Sequence, residues 1–214
     1  MFKLTILWLT LFSIAFGFVE SAVVVYLREI YYPNGFSFPL APMSSQLAIT
    51  EIIREAATII VLLSGGYLAG RNIRERAAFF MYCFAVWDIF YYVFLKLLIN
   101  WPDSLFTWDI LFLIPVIWTG PVIAPLLVSV TLLLLAGMVL YREKTGNPVR
   151  ITRLTGILFL AGIFLVFAAF IWDFTLYLMK GDAFHQYIPH NFNWWLFVAG
   201  EVILLAGLFK QTSH

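Results

Sequence analysis

The chain has 214 residues, of which 63% are hydrophobic, 19% aromatic and only 12% charged, with a net charge of +1. Soluble domains are roughly 45–50% apolar and 25% charged, so this composition excludes a water-soluble globule. There is no basic stripe for nucleic acid, which is therefore not expected as a partner, and no acidic tail for a cationic one. No polar linker, low-complexity tract or charge block divides the chain, which reads as a single transmembrane domain over 1–214. The lone cysteine, Cys83, lies in an apolar run and reads as a packing thiol.

Six segments match the about 20 helical residues that a hydrocarbon core requires. The first, Leu4–Leu27, follows Lys3 as a secretory signal would, but it has no small-x-small cleavage site and stays apolar to its end, so it is expected to be a span. It carries Ser13, Gly17 and Ser21 at four-residue spacing, a seam that lets helix backbones approach. The second, Ser45–Gly70, carries a similar seam at Gly66 and Gly70. Ala77–Asn100 is the third. Next comes Leu105–Trp118, apolar but too short to cross and broken by Pro115, which reads as a re-entrant or interfacial half-helix. Val122–Tyr141, Leu154–Met179 and Asn193–Phe209 complete the set. The expected fold is therefore all-α, a polytopic membrane protein of six transmembrane helices plus a half-helix at about 105–118.

Basic residues set the orientation. Arg71, Arg74 and Arg76 fill one connection and Arg142, Lys144, Arg150 and Arg153 another, while Lys3 and Lys210 mark the ends. With six spans all four places share one side, so both termini are expected in the cytoplasm and the chain in the plasma (inner) membrane. The opposite side keeps Arg28, Lys180 and many tryptophans and tyrosines.

Ionisable residues inside the spans carry the functional reading, because a charge at mid-bilayer costs about 2.5–3.5 kcal/mol even on a lenient scale. Glu20 lies on the first helix, Glu51, Arg54 and Glu55 on the second, Asp88 on the third, Asp173 on the fifth and Glu201 on the sixth, with Asp109 on the half-helix. Counted at about 1.5 Å per residue, most of them gather in the outer half. Glu51, Arg54 and Glu55 share one helix face with Thr58 a turn deeper. Two acids compete there for one arginine. One should pair with it, leaving the other as a proton or cation carrier, with Glu51 meeting solute first and Glu55 the carrier; the plainer alternative is a structural ion pair. Glu20 and Arg28, Asp88 and Lys96, and Asp173 and Lys180 form acid-then-base patterns, read as acids facing the bundle and bases snorkelling to the interface. Trp-Asp recurs at Trp87, Trp108 and Trp172, an aromatic and acidic combination suited to a cationic ligand.

No histidine lies in a span, which argues against haem, and neither a Glu-x-x-His nor a His-Glu-x-x-His metal motif occurs. His185 and His190 in the last outer loop are weak metal candidates, and no cofactor or catalytic residue is expected. The leading expectation is a transporter or solute-binding membrane subunit. Its ligand site for a proton, cation or small cationic or aromatic solute would draw on Glu20, Glu51, Arg54, Glu55, Asp88, Asp109, Trp172, Asp173 and Glu201. A hydrated pocket lined by Glu51, Trp172 and Glu201 would fit it. The alternatives are a non-catalytic accessory or assembly subunit with dry, paired acids, and a lipid-modifying enzyme using Glu51, Glu55 or Asp109. Expected partners are membrane lipids, a small solute or ion, and a homo- or hetero-oligomer in the membrane.

Overall fold

The computed structural model describes residues 2–149, 152–181 and 186–212. Among them are six helices, α1 (Phe2–Tyr31), α2 (Ser45–Ala69), α3 (Ile73–Ile99), α4 (Ile123–Lys144), α5 (Arg153–Met179) and α6 (Trp194–Thr212). Strands β1 (Trp108–Phe112) and β2 (Trp118–Pro121) lie between α3 and α4. Four helices, α1, α3, α4 and α5, are long and apolar enough to cross a membrane. α2 is 25 residues long and carries Glu51, Arg54 and Glu55 in its first half; α6 has a shorter apolar stretch, Trp194–Gly207.

Local chemistry sets the helix ends. The side chain of Ser44 accepts the Leu47 N–H, that of Asn72 accepts the Arg74 and Glu75 N–H groups, and that of Thr152 accepts the Thr155 N–H. Each satisfies donors that a helix start leaves open. α3 stops at Asn100, which adopts the left-handed conformation at φ 53°.

The helices alternate in direction between two ends. At one end Arg74 pairs with Glu143, Asn72 donates to Glu143 at 3.0 Å, and Lys144 lies 5.5 Å from the Phe2 ring. These contacts gather the start of α1, the α2–α3 corner and the end of α4, so three of the arginine- and lysine-bearing places occupy one end. At the other end the connections interlock through aromatic rings, Phe36 on Trp101, Phe38 on Tyr187 and Trp108 on Phe192.

The segment expected to be a half-helix is a hairpin, so the fold is not purely α. β1 and β2 pair antiparallel, with Asp109 opposite Gly120 and Ile110 opposite Thr119. The run was apolar, and apolarity alone does not separate a short helix from a strand. Pro115 lacks the N–H that a helix interior needs, while the aromatic and β-branched residues Trp108, Ile110, Phe112, Ile117 and Thr119 favour extended backbone. Pairing satisfies backbone groups that would otherwise be stranded among apolar side chains. Gly120 fits because the rings of Phe170 and Phe192 come within 3.2 Å of where its Cβ would stand.

The small-residue seams are where helices meet. Ser13, Gly17 and Ser21 lay α1 along α3; Ser21 donates to the Tyr91 carbonyl at 3.0 Å, and a Cβ on Gly17 would stand 3.0 Å from the Trp87 carbonyl oxygen. Gly66 and Gly70 press α2 onto α3, and Gly162 and Gly200 bring α5 onto α6. Burial is complete around Leu62, Ala78, Cys83, Leu95 and Ala136.

A side chain at Gly66 would meet the Phe80 backbone nitrogen at 2.5 Å, whereas nothing lies within 4 Å of a Cβ at Gly137. Overpacking typically costs about 1–3 kcal/mol. Gly66→Leu should therefore lower the detergent melting temperature sharply while Gly137→Ala leaves it within error. Equal melting of the two variants would contradict the α2–α3 seam.

Candidate functional site

The α2 stripe faces α1 and the hairpin. Arg54 donates through Nε to Glu51 at 2.8 Å and forms an ion pair through Nη1 with Glu20. Thr58 donates to the second oxygen of Glu20 at 3.0 Å. The arginine is thus committed to one acid from its own helix and one from α1. Glu55 makes no ion pair with it. Its Oε2 accepts the Leu113 N–H at 2.8 Å from the hairpin turn, and among the described residues its Oε1 takes no hydrogen bond. Glu51 and Glu55 are both buried, 6% and 7% exposed.

Arg28 holds the site against the hairpin. Its guanidinium carbon lies 3.7 Å from the Trp101 ring centroid and 4.5 Å from that of Phe36. Its Nη2 donates to Asp109 at 3.1 Å, and Tyr92 donates to the other Asp109 oxygen at 3.3 Å. Snorkelling was the expectation for Arg28, and burial replaces it. Glu20, Val24 and Arg28 recur at four-residue spacing and share one helix face, and that face is covered by α3 and the hairpin. A guanidinium between two rings exchanges water for π-faces and a carboxylate. On the hairpin, burial raises the Asp109 carboxyl to about 6 against the lowering pull of Arg28. Above that pH it is a carboxylate held by an arginine and a phenol. In the loop after α1, burial raises the Tyr32 phenol above its ordinary value, and its oxygen accepts the Ala41 N–H at 2.8 Å.

Two adjoining cavities occupy this region. The larger, about 410 Å³, is bounded by Arg28, Tyr32, Glu51, Arg54, Glu55 and Asp109 on its polar side and by apolar residues of α1, the 36–43 loop and α2 elsewhere. The smaller, about 120 Å³, lies against Glu20, Thr58, Trp87 and Asp88. Arg54, Glu55 and Tyr91 border both and form the partition between them. Asp88 accepts the Ser129 hydroxyl at 2.7 Å and makes no ion pair among the described residues. Five carboxylates and two guanidiniums therefore line the two cavities. With Glu20 and Glu51 on Arg54, and Asp109 on Arg28, Glu55 and Asp88 are the lining acids that make no ion pair among the described residues.

Six of the nine residues expected to form the site, Glu20, Glu51, Arg54, Glu55, Asp88 and Asp109, are brought together here. The other three lie elsewhere. Asp173 accepts the Tyr187 hydroxyl at 2.9 Å and the His190 N–H at 3.1 Å and ties down the last loop. Trp172 borders an open groove with Lys180, His190 and Trp195. Glu201 meets Thr131 between α4 and α6. Glu51, Trp172 and Glu201 thus do not share a pocket. Among the described residues no group of three or more His, Cys, Asp or Glu is placed to hold a metal ion, and His185 lies outside the described residues. Arg28, Phe36, Trp101, Tyr91 and Tyr92 belong to the site and were not expected in it. Only the Glu20–Arg28 spacing hinted at any of them.

Removing Arg54 strands Glu20 and Glu51, whereas removing either acid leaves Arg54 with the other. Breaking a buried pair by deleting one partner costs about 3–5 kcal/mol. Arg54→Gln should melt well below Glu20→Gln and Glu51→Gln in one detergent, and the triple neutral variant should recover part of the loss. A melt for Arg54→Gln above either acid variant would remove the clamp from the fold's essential contacts.

The chain matches no protein-family model, no curated protein and no solved structure.

Proposed function

We propose that the chain is a six-span membrane protein that uses the carboxylate-rich site in its non-cytoplasmic half to bind or translocate a proton, a cation or a small cationic or aromatic solute. One observation carries the reading: among the described residues Glu55, buried on the partition between two cavities, makes no ion pair and keeps one oxygen free of hydrogen bonds. An ionised carboxylate buried without a partner costs several kcal/mol. Binding a positive charge removes that cost. Such a site takes up a proton or cation from the outer cavity and holds it beside the inner one, where Asp88 is a second base-free acceptor.

α2 and α6 are the two further spans. At about 1.5 Å per residue their 25 and 19 residues reach about 37 and 28 Å, close to a hydrocarbon core. Their outward faces are apolar, with Ile53, Ile60 and Leu68 exposed on α2 and Val198 and Val202 on α6. The charges of α2 point the other way, into the pairs above. With the basic end in the cytoplasm, both termini are cytoplasmic and the hairpin end faces out.

The accessory-subunit reading rests on the Glu20–Arg54–Glu51 and Arg28–Asp109 pairs, which need no ligand. Glu55 and Asp88 do not fit it, because a purely structural network has no reason to bury two acids without bases.

Reporters placed after Lys210 and near Asn147 should both read cytoplasmic, and a cysteine at the exposed Phe106 should label from outside with an impermeant reagent. Either reporter reading outside would overturn the six-span arrangement.

Infrared titration should show protonated-carboxyl absorbance that is lost with rising pH, one component of which is missing in Glu55→Gln and retained in Glu201→Gln. A wild-type spectrum with no titrating band, and no change on adding Na⁺ or K⁺, would leave Glu55 a structural residue.

A further inference from the structure

The larger cavity has a wall that neither a proton nor a metal ion needs. Besides its charged residues it is bounded by Leu27, Leu40, Met43 and Ala48, and by Tyr32 and Phe36. A proton requires a carboxyl oxygen and a path, not an enclosed space of about 410 Å³. A hard metal cation asks for six or more oxygen ligands on all sides. Here the carboxylates are Glu51, Glu55 and Asp109, and most of the lining residues are apolar. Pockets of 300–1,000 Å³ with an apolar lining and a few convergent polar groups are the form taken by sites for small organic molecules.

Charge decides which kind of organic molecule. The lining holds Glu51, Glu55 and Asp109 against Arg28 and Arg54, and both arginines are engaged in ion pairs. Glu20, Glu51, Glu55 and Asp109 stand against these two guanidiniums, so acids are in excess, and Glu55 is the one that makes no ion pair; it is over nine-tenths buried, with Oε1 open among the described residues. Tyr91, like Glu55, borders both cavities. A carboxylate and an aromatic face together stabilise an ammonium group, including a quaternary one that donates no hydrogen bond. An anion would meet a net negative end, and a neutral apolar molecule would bury Glu55 without compensating it.

We propose that the solute is an organic cation with an apolar body, its ammonium group at Glu55 and Tyr91 and its body along Leu27, Leu40 and Met43. This rests on the cation-binding reading above and narrows it to one chemical class. Glu55 takes the charge, and the apolar wall excludes hydrated inorganic ions. The cavity wall sets the size of the body that is accepted.

The test uses the full chain in detergent micelles, with binding measured over that of empty micelles. The probes are phenyltrimethylammonium, its neutral isostere tert-butylbenzene, and benzenesulfonate. The ammonium should bind saturably, at least tenfold more tightly than either of the others. Glu55→Gln should weaken it at least tenfold, and Asp103→Asn, in an exposed loop, should leave it unchanged. Because Glu55→Gln can fail by misfolding, Ala48→Trp serves as a second variant. By filling the cavity it should abolish ammonium binding and leave the Glu55 carboxyl titration in place. Equal binding of the ammonium and the neutral isostere would overturn the proposal. No binding of the ammonium alongside a titrating Glu55 would also overturn it, with the proton reading left standing. No binding and no titration would remove both.

Discussion

Arg54 is the contact on which the polar half of this structure depends. α1 lies along α3 and touches α2 only sparsely, so the ion pair from Arg54 to Glu20, with Thr58 on the same carboxylate, is the main polar tie between α1 and α2. The hairpin is then held from both sides, by Arg28 of α1 on Asp109 and by Glu55 of α2 on the Leu113 N–H. In apolar surroundings each of these bonds is worth more than in water and each is costly to leave unmade. The hairpin, α1 and α2 therefore form one polar assembly, and the cavities are the space this assembly encloses against α3.

The other half is built differently. α5 packs on α6 through Gly162, Gly200 and a cluster of rings, with Phe170, Phe192 and Phe197 in mutual contact and Trp118 of the hairpin stacked on Phe170. Its buried acid, Glu201, is met by a threonine, and Asp173 serves a loop. Aromatic packing supplies rigidity without charge, so the hairpin rests on a firm apolar wall on one side and a titratable one on the other. That asymmetry confines the chemistry to the face of α1, α2 and α3.

Much of this was legible in the sequence because a membrane restricts the options. The four long apolar helices follow from run length, and the close contacts at Gly17, Gly66 and Gly70 follow from small residues at four-residue spacing. The α2 stripe follows from helical periodicity, and so does the competition of two acids for one arginine. What periodicity does not carry is the partner on another helix. Arg54 completes its pairing with Glu20 from α1, 34 positions earlier, a match between elements that one helix face does not reveal. Arg28 was misread for the same reason. Near a helix end a long basic side chain can reach the interface or turn inward, and its choice depended on Trp101, Phe36 and Asp109, all outside α1. The hairpin was missed because a short apolar run has no period of its own. Pro115 excluded a long helix without specifying what replaced it.

Glu55 and Asp88 are both base-free, yet they are not equivalent. Asp88 receives a hydroxyl from Ser129 on α4, a donor that can rotate to become an acceptor when the carboxyl is protonated. Glu55 receives a backbone N–H from Leu113, which can only donate and does not move out of the way. That fixed donor claims Oε2 and leaves Oε1 without a hydrogen bond among the described residues. The hairpin thereby orients the carboxylate at the partition instead of neutralising it. A lysine or arginine at the turn would have closed the site as an ion pair. A main-chain donor holds the side chain in place while keeping its charge unmatched, which is the condition a binding site for positive charge requires.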